Sequence, residues 1–460
     1  MDPCTCMDSE EEFASIDSHF MNNRNSPSTM DDLPDWVLME ILVLLPLCTV
    51  VLTCKWVSKR WFTLISSPYF ARRFVAQHSQ QPQPFTLLYQ YGDIDDVERR
   101  LPITPANSES ECELKPVAAY LRDRHRGWIR ASCNDLLLWI ESSKWVVEQQ
   151  QPGDLKNVVV YTVINPITRQ CLKLPPRPLP LPQPILPLRA GIISGYDDSN
   201  DTQISSSFRV VLILSTRTNL SQFNIHVFSS DTGEWGDSVV LCPPNLGEFR
   251  WSLTSIHTVP YKGLLFWPIS GGRLLGFDPF NINNSNSSTC VIEQPVEFEP
   301  FHEIDCLGLC HGCLRTCQVS GNAHTGLRVW ELKDFDNENN GSGAGGKWCL
   351  KHELCFSQMV SEKSPSLTEY INDRIWIIPL DISVLAFHPN DGDIMYLLIQ
   401  SKVVICNLQS RTLEVFCDIN HSEHGFFTIP NTLTFVLPSW PTPIPSSPLE
   451  KQNVICRLPQ

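Results

Sequence analysis

Basic charge is scarce in this sequence: 35 Lys and Arg stand against 50 Asp and Glu, for a net charge of -15. That balance lacks the electrostatic footprint that nucleic acid or an anionic membrane requires. A membrane-spanning run is missing too. A spanning helix needs about 20 apolar residues with few charges. The greasiest stretch, LPDWVLMEILVLLPLCTVVLTCKWVSKRW at 33–61, is broken by Glu40 and Pro46 and followed closely by Lys55, Lys59 and Arg60. The chain shows no G-x-S-x-G, no H-E-x-x-H and no Cys/His protease signature, so no catalytic group is assigned and no cofactor is expected. Its first residues, MDPCTCMDSEEEF, carry neither a basic start nor an apolar signal region. The 18 cysteines are therefore read as mostly buried free thiols in a reducing compartment, and the sequons at Asn200 and Asn286 as coincidental.

What is present is enough for two or three domains with a sizeable core, rich in the 36 prolines that favour loops and strand ends over long helices. Residues 1–30 are acidic, Asn/Ser-rich and poor in apolar residues, and read as a disordered tail. Residues 31–78 read as three short helices. The first runs from Asp35 to Leu45 with Pro34 in its first turn, and Pro46 stops it. The second runs from about Thr49 to Ile65, with Val50, Cys54, Val57 and Trp61 on one face. The third opens with Ser67 as N-cap and Pro68 as first helical residue, and places Phe70 and Phe74 together. A helix apolar on every side needs cover from outside its own unit. Residues 79–84, SQQPQP, make a linker.

Beyond residue 84 the texture becomes short apolar runs punctuated by turns. A strand followed by an Asn/Asp/Ser turn, then a charged residue and an aromatic or Leu, recurs at 161–174, 225–235, 274–280, 329–335 and 403–416. The recurrence suggests propeller blades, with a pair of β-sandwiches as the other architecture. A turn is expected near Asn165-Pro166, another at Asp231 to Gly233, and a hairpin about Gly271-Gly272. The Pro-rich insertion 175–189 and the polar insertion 336–346 interrupt the pattern, and 438–460 reads as a Pro-rich tail or closing segment. The fold class is thus α+β multidomain: a small helical domain at 31–78 and a mostly-β domain at 85–437.

The residues of 31–78 resemble an F-box: Leu33-Pro34, Ile41-Leu42, Leu45-Pro46, Val57-Ser58-Lys59-Arg60-Trp61, Leu64-Ile65 and Pro68-Tyr69-Phe70 stand in the family's order and spacing. Trp56 and Thr49–Val51 depart from it without touching a core position. The remainder is similar to the F-box-associated, kelch-like β-propeller of plant F-box proteins. The similarity lies in Ala131-Ser132-Cys133-Asn134-Asp135-Leu136-Leu137-Leu138, in Asn165-Pro166-Ile167-Thr168-Arg169-Gln170 with Leu174-Pro175, and in Leu327-Arg328-Val329-Trp330-Glu331-Leu332. Asp135 stands where that family has Gly, and Asp accepts positive φ less readily. The resemblance implies a non-enzymatic substrate receptor of a Skp-cullin-F-box ubiquitin ligase, nuclear or cytoplasmic. It would dock a Skp-family adaptor, and through it a cullin-RING scaffold, by the helical domain, and a protein substrate by the β domain. The adaptor contacts it implies are Leu33, Pro34, Ile41, Leu42, Leu45, Pro46, Val57 and Trp61, against plain packing within the helical unit for each.

Other features carry weaker chemistry. Cys306, Cys310, Cys313 and Cys317 lie too close together for the usual two ligand pairs of structural zinc, and read as strand residues packing as small apolar groups. Gly341 to Lys347 fits a phosphate-loop pattern but lacks the Ser/Thr and helix that should follow. Pro184, Pro187 and Arg189 match a polyproline ligand, and more simply a solvent loop. Trp235, Trp251, Trp267 and the acidic 334–340 segment are candidates for a substrate rim. A ligand-binding or catalytic propeller with a non-ligase F-box, marked by a polar, titratable central channel, is the alternative, and a zinc-stabilised scaffold the third.

Overall fold

The computed structural model describes residues 30–46, 48–93, 96–103, 114–115, 117–121, 127–142, 159–176, 189–195, 207–213, 222–241, 250–252, 257–281, 289–299, 302–320, 326–335, 346–361, 363–374, 382–419 and 431–445. Most of the expected acidic tail, the Pro-rich and Gly-rich insertions, both sequons and the last fifteen residues lie outside them.

Residues 35–78 form four helices where three were expected: α1 (Asp35–Val43), α2 (Cys48–Cys54), α3 (Lys59–Ile65) and α4 (Pro68–His78). The anticipated second helix breaks at residues 55–58, because Ser58 takes an extended conformation and caps a new helix, its side chain accepting from Trp61 N at 3.2 Å. Ser67 caps α4 the same way, accepting from Phe70 N at 3.1 Å, with Pro68 behind it. Pro34 sits at the N-cap position of α1 rather than in its first turn. No helix among the described residues is long and apolar enough to cross a membrane.

Most of the rest of the described chain is a ring of antiparallel sheets, with a helix at Pro365–Arg374 between the fourth and fifth blades. Strands β1 (Phe85–Asp93) and β2 (Asp96–Ile103) come first. Five four-stranded blades follow in chain order. They are β3 (Trp128–Cys133) to β6 (Gln170–Lys173), β7 (Arg189–Ser194) to β10 (Glu234–Leu241), and β11 (Val259–Tyr261) to β14 (Thr289–Ile292). The fourth and fifth are β15 (Cys306–Cys310) to β18 (Lys347–Cys355) and β19 (Ile382–Phe387) to β22 (Thr412–Asp418). The last strand, β23 (Asn431–Val436), pairs with β1, from Phe85 opposite Val436 to Gln90 opposite Asn431. A sixth, three-stranded sheet, β2-β1-β23, thus joins the two ends of the β domain. The inner strands β3, β7, β11, β15, β19 and β23 pack in succession, and β23 meets β3 to shut the ring. Closure ties the two ends of the β domain together and leaves each blade's outer strand, such as β10 or β18, as its edge.

The five recurrences read from sequence map onto the third strand of each four-stranded blade and the turn after it: β5 (Val159–Asn165), β9 (Gln222–Ser229), β13 (Arg273–Phe277), β17 (Gly326–Lys333) and β21 (Lys402–Asn407). The expected turns are there. Asn165 Oδ1 accepts from the backbone N–H groups of Ile167 (3.0 Å) and Thr168 (3.2 Å), an Asx turn. Gly271 and Gly272, with φ of 78° and 69°, make the tight hairpin between β12 (Leu264–Ile269) and β13.

Blades pack through apolar faces, as in the cluster of Ile193, Val211, Ile225, Leu265, Trp267 and Leu275 between the second and third blades. A buried ion pair helps to join the fourth and fifth. Arg315 donates through Nε and Nη2 to Glu331 Oε2 at 2.8 and 2.7 Å, and through Nη1 to Gly392 O at 2.7 Å. Both side chains of the pair are buried, and Lys333 reaches the other Glu331 oxygen at 2.6 Å.

The helical unit is not tethered loosely. Leu38, Leu42, Val51, Trp61, Ile65, Phe70 and Phe74 share one core with Leu137, Trp139, Leu433 and Phe435 of the propeller. The propeller therefore supplies cover that the helices cannot give themselves. The exposed linker 79–84 only carries the chain across. The segment 438–445, expected as a tail or closing piece, is a packed strap. Trp440 lies 5.7 Å from the Phe70 ring and 5.5 Å from Phe74, with Lys55 Nζ 5.9 Å from its own centroid. Two residues on, Thr442 is fastened to the first blade. Its N–H donates to Asp135 Oδ2 at 2.8 Å, and its carbonyl accepts from Asn165 Nδ2 at 2.9 Å. Asn165 Nδ2 also reaches Asp135 Oδ2 at 2.6 Å.

Candidate functional site

The helical unit has two faces. Its inner face is used by the propeller, and its outer face is strongly apolar. An ion pair fixes where the outer face begins: Arg60 Nε meets Asp35 Oδ1 at 2.7 Å and Arg60 Nη2 donates to Leu33 O, pinning the Leu33-Pro34 turn onto α3. Arg73 of α4 holds Glu40 of α1 at 2.5 Å. His78 closes the far end, its Nε2 against Val43 O at 3.0 Å and its ring 4.3 Å from Phe74.

The eight residues singled out from sequence divide between the faces. Pro34, Ile41, Pro46 and Val57 are exposed on the outer face, Leu33 and Leu45 are half-buried, and Leu42 and Trp61 are buried in the shared core. Four large apolar residues outside that set also stand out to solvent: Trp36 (70% exposed), Leu44 (66%), Phe62 (56%) and Trp56 (90%). Sequence could not select them, since α1 is apolar all round and its pattern does not say which side the propeller takes. Isolated exposed apolar residues are ordinary. A group of this size on one small unit marks an interaction surface.

The other candidates resolve as structure. Trp267 and Trp251 are buried between blades, and Trp235 is half-buried with its Nε1 donating to Pro175 O at 3.0 Å, so none of the three forms a rim. Asp334 is exposed at a positive-φ turn, and 336–340 lies outside the described residues. Arg189, the last residue of the polyproline pattern, is buried at the start of β7, where its Nη2 donates to Ser252 O and its guanidinium lies 4.9 Å from the Trp251 ring. Lys347, at the end of the phosphate-loop pattern, opens strand β18 instead of a helix. Cys306 stands opposite Cys317, and Cys310 opposite Cys313, at the two ends of one hairpin. They face one another in pairs, and among the described residues no three His, Cys, Asp or Glu side chains gather as a metal set. Burial raises the thiol of Cys310 to about 11. The Asp135 question also resolves. Asn134 takes the positive φ, 53°, and Asp135 is a buried anchor for the strap.

The central channel encloses about 270 Å³ and is lined by all six inner strands, from Ser132 and Cys133 round to Thr432 and Thr434. Six titratable side chains belong to its lining: Cys133, His257, Tyr261, Lys262, Asp305 and Cys306. Burial lowers His257 to about 4, with Arg130 adding to the effect. Burial likewise raises Asp305 to about 6 against the pull of a hydrogen bond from Val319 N. At neutral pH His257 is uncharged and Asp305 ionised. The channel contains no nucleophile–base–orienter chain among the described residues: Cys133 Sγ meets only Ser194 Oγ, at 3.5 Å, and burial raises that thiol.

Comparison with known proteins gives the chain its context. Residues 115–435 match the family model described as "F-box protein At3g26010-like, beta-propeller". F-box protein At3g28330 of Arabidopsis thaliana is 22% identical, over 92% of this chain and 98% of its own length. F-box protein At3g26010 of the same plant is 23% identical over 90% and 91%, and the putative F-box/kelch-repeat protein At4g22430 is 26% identical over 86% and 84%. A solved putative 6-phosphogluconolactonase from Bacteroides fragilis covers 77% of the chain at 8% identity and a TM-score of 0.30, a likeness too distant to speak to fold or chemistry.

Proposed function

The chain belongs to the At3g26010-like F-box protein β-propeller family, and from that membership we propose that it is the substrate receptor of a Skp-cullin-F-box type ubiquitin ligase. In this reading residues 31–78 are the F-box, the outer face of the helical unit docks a Skp-family adaptor, and the propeller holds a protein substrate. The chain breaks no bond itself. It raises the local concentration of substrate beside the transferring machinery. The compartment is then the nucleus, the cytoplasm or both.

The observation that carries the reading is the two-faced helical unit. Its inner face is satisfied by the propeller, so Pro34, Trp36, Ile41, Leu44, Val57 and Phe62 are exposed apolar surface outside the shared core. Interface energy concentrates in a few large buried side chains, and Trp36 and Phe62 are the largest of these. Leu42 and Trp61, buried already, act by holding the face in shape.

The test is co-purification of the full chain with a Skp-family adaptor, beside the variants Leu44→Asp and Val57→Asp. Both positions are exposed, so neither change disturbs the core. The expected result is that the native chain binds and each variant melts normally but binds at least tenfold more weakly, since a charge at a desolvated apolar contact costs about 2 kcal/mol or more. Binding by the variants equal to native would remove this face as the docking surface.

A further inference from the structure

Two cysteines flank a tight turn at the end of the first hairpin of the fourth blade. Cys310 ends β15, Cys313 opens β16 (Cys313–Val319), and the two stand directly opposite in the ladder. Only His311 and Gly312 lie between them, both at positive φ, 48° and 68°, as a two-residue hairpin turn requires. Cross-strand partners share one face of a sheet, so the two thiols lie on the same side. The residues that close such a turn form a hydrogen-bonded pair with Cα atoms about 5.5 Å apart, inside the roughly 4.4–6.8 Å that a disulfide spans. The turn is also anchored from outside: His311 N donates to Pro389 O, in the loop after β19, at 2.7 Å.

The two thiols differ in access. Cys310 is buried and Cys313 half-buried, while His311 and Gly312 between them are exposed. A Cβ on Gly312 would meet nothing within 4 Å, so a small reagent has open space above the turn. Burial raises the Cys310 thiol, which leaves the first encounter with a reagent to Cys313. The Lys333 ammonium lies within electrostatic reach of Cys313, and the Arg315 guanidinium within reach of Cys310, where Glu331 and Asp391 oppose it. A partly exposed thiol beside a cation, with a second thiol poised to resolve it, is the setting in which cysteines act as redox groups. The other opposed pair on this hairpin, Cys306 and Cys317, is buried on both strands and has no turn above it.

We propose that Cys310 and Cys313 are a reversible redox pair that a small hydroperoxide oxidises to a disulfide. The Cys313 sulfur, having shed its proton, attacks one peroxide oxygen. An S–O bond forms, the O–O bond breaks, and the departing hydroxide takes up the proton as water. Cys310 sulfur then displaces the hydroxyl of the Cys313 sulfenic acid. The S–S bond forms, the S–O bond breaks, and the hydroxyl leaves with the Cys310 proton as a second water. Two electrons pass from the thiols to the peroxide. A small thiol reverses the change through a mixed disulfide. In a reducing compartment such a bond is transient and registers oxidant rather than holding the fold. The pair is independent of the outer face of the helical unit and stands whether or not that face docks an adaptor.

The test exposes the reduced full chain to hydrogen peroxide, alkylates every remaining thiol, and cleaves before Asp305 and after Arg315. The fragment released holds Cys306, Cys310 and Cys313 and is weighed by mass spectrometry. The expected product has Cys306 alkylated and Cys310 joined to Cys313, with the loss of two hydrogens. It should form roughly tenfold faster or more than any change at the buried Cys317 or Cys406, and dithiothreitol should erase it. In Cys310→Ser the sulfenic acid should persist at Cys313 and be trapped by dimedone. In Cys313→Ser, a change at a half-buried position, Cys310 should stay alkylated as a free thiol. That variant decides the matter alone if the Cys310 variant does not fold. Free Cys310 and Cys313 after an exposure that oxidises an equal concentration of glutathione would overturn the pair. So would a bond from Cys313 to Cys349, the other thiol near Lys333, or oxidation of Cys310 in Cys313→Ser at the native rate.

Discussion

Asp135 shows how one side chain can be read wrongly for its local role and turn out to hold a distant one. Its place in a strand motif that usually carries Gly drew attention to backbone strain, yet the strain falls on Asn134, and Asp135 gathers Thr442 N and Asn165 Nδ2 on one buried oxygen. Burial outweighs those hydrogen bonds and raises its carboxyl to about 6 from an ordinary 3.8. The folded state therefore binds a proton that the unfolded chain has already lost between those values. Stability from this group is full below about pH 4, falls as pH rises through 6, and stays lost above it. A shift of about two units corresponds to roughly 3 kcal/mol. Asp135→Asn, an uncharged mimic of the protonated acid, should remove most of that slope: its unfolding free energy should change by roughly 2 kcal/mol less than that of the native chain between pH 4.5 and 7, read by urea denaturation. Asp305 has the same sign and would supply the slope that remains. Nothing in the sequence near Asp135 announces its partner, because Thr442 is far along the chain and adjacency in a closed ring leaves no periodic trace.

At the level of elements, the third strand of each blade was the legible unit. Its residues are mostly buried and apolar and its turn needs Asn, Asp or Gly, so β5, β9, β13, β17 and β21 carry both signals within a dozen residues. The first strands are short and line the channel, and their pattern is blurred by polar residues such as Arg130 and Ser132. The helices were legible as helices, but the break at residues 55–58 was not, since apolar periodicity continues across it and only the Ser58 cap marks the boundary. Polar contacts join several blades, and the Arg315–Glu331–Gly392 tie is worth testing because it rests on a buried ion pair. Removing one partner of a buried pair strands the other charge. Arg315→Met should cost about 3 kcal/mol, at the low end of the usual range because Lys333 still reaches Glu331. Replacing both, Arg315→Met with Glu331→Leu, should recover much of the loss by chemical denaturation, since an apolar pair needs no solvation. A double variant as unstable as the single would mean that the link to Gly392 carries the stabilisation instead.

For the whole molecule, the decisive fact is that helical unit, first blade and strap are one body. A 31–78 domain on a flexible 79–84 tether would let the propeller swing. Here Trp440 packs at a tilt against the stacked Phe70 and Phe74, and the linker is a passenger. Trp440→Ala should loosen that joint while sparing the ring. Amides of α4 are expected to exchange roughly thirtyfold faster or more, matching a loss of about 2 kcal/mol, while those of β20 (Ile394–Ile399) and β21 stay protected. Uniform loss of protection would show instead that the strap holds the ring as well as the helices. The joining of β1 to β23 bears on how such a protein is made. A ribosome adding about 5–20 residues each second spends tens of seconds between the two strands. During that time β1 waits with a bare edge, and the helical core lacks Leu433, Phe435 and Trp440. The apolar outer face therefore gains the packing beneath it only after synthesis is almost finished, so a chain cut short before its last strand presents that face without the core that supports it.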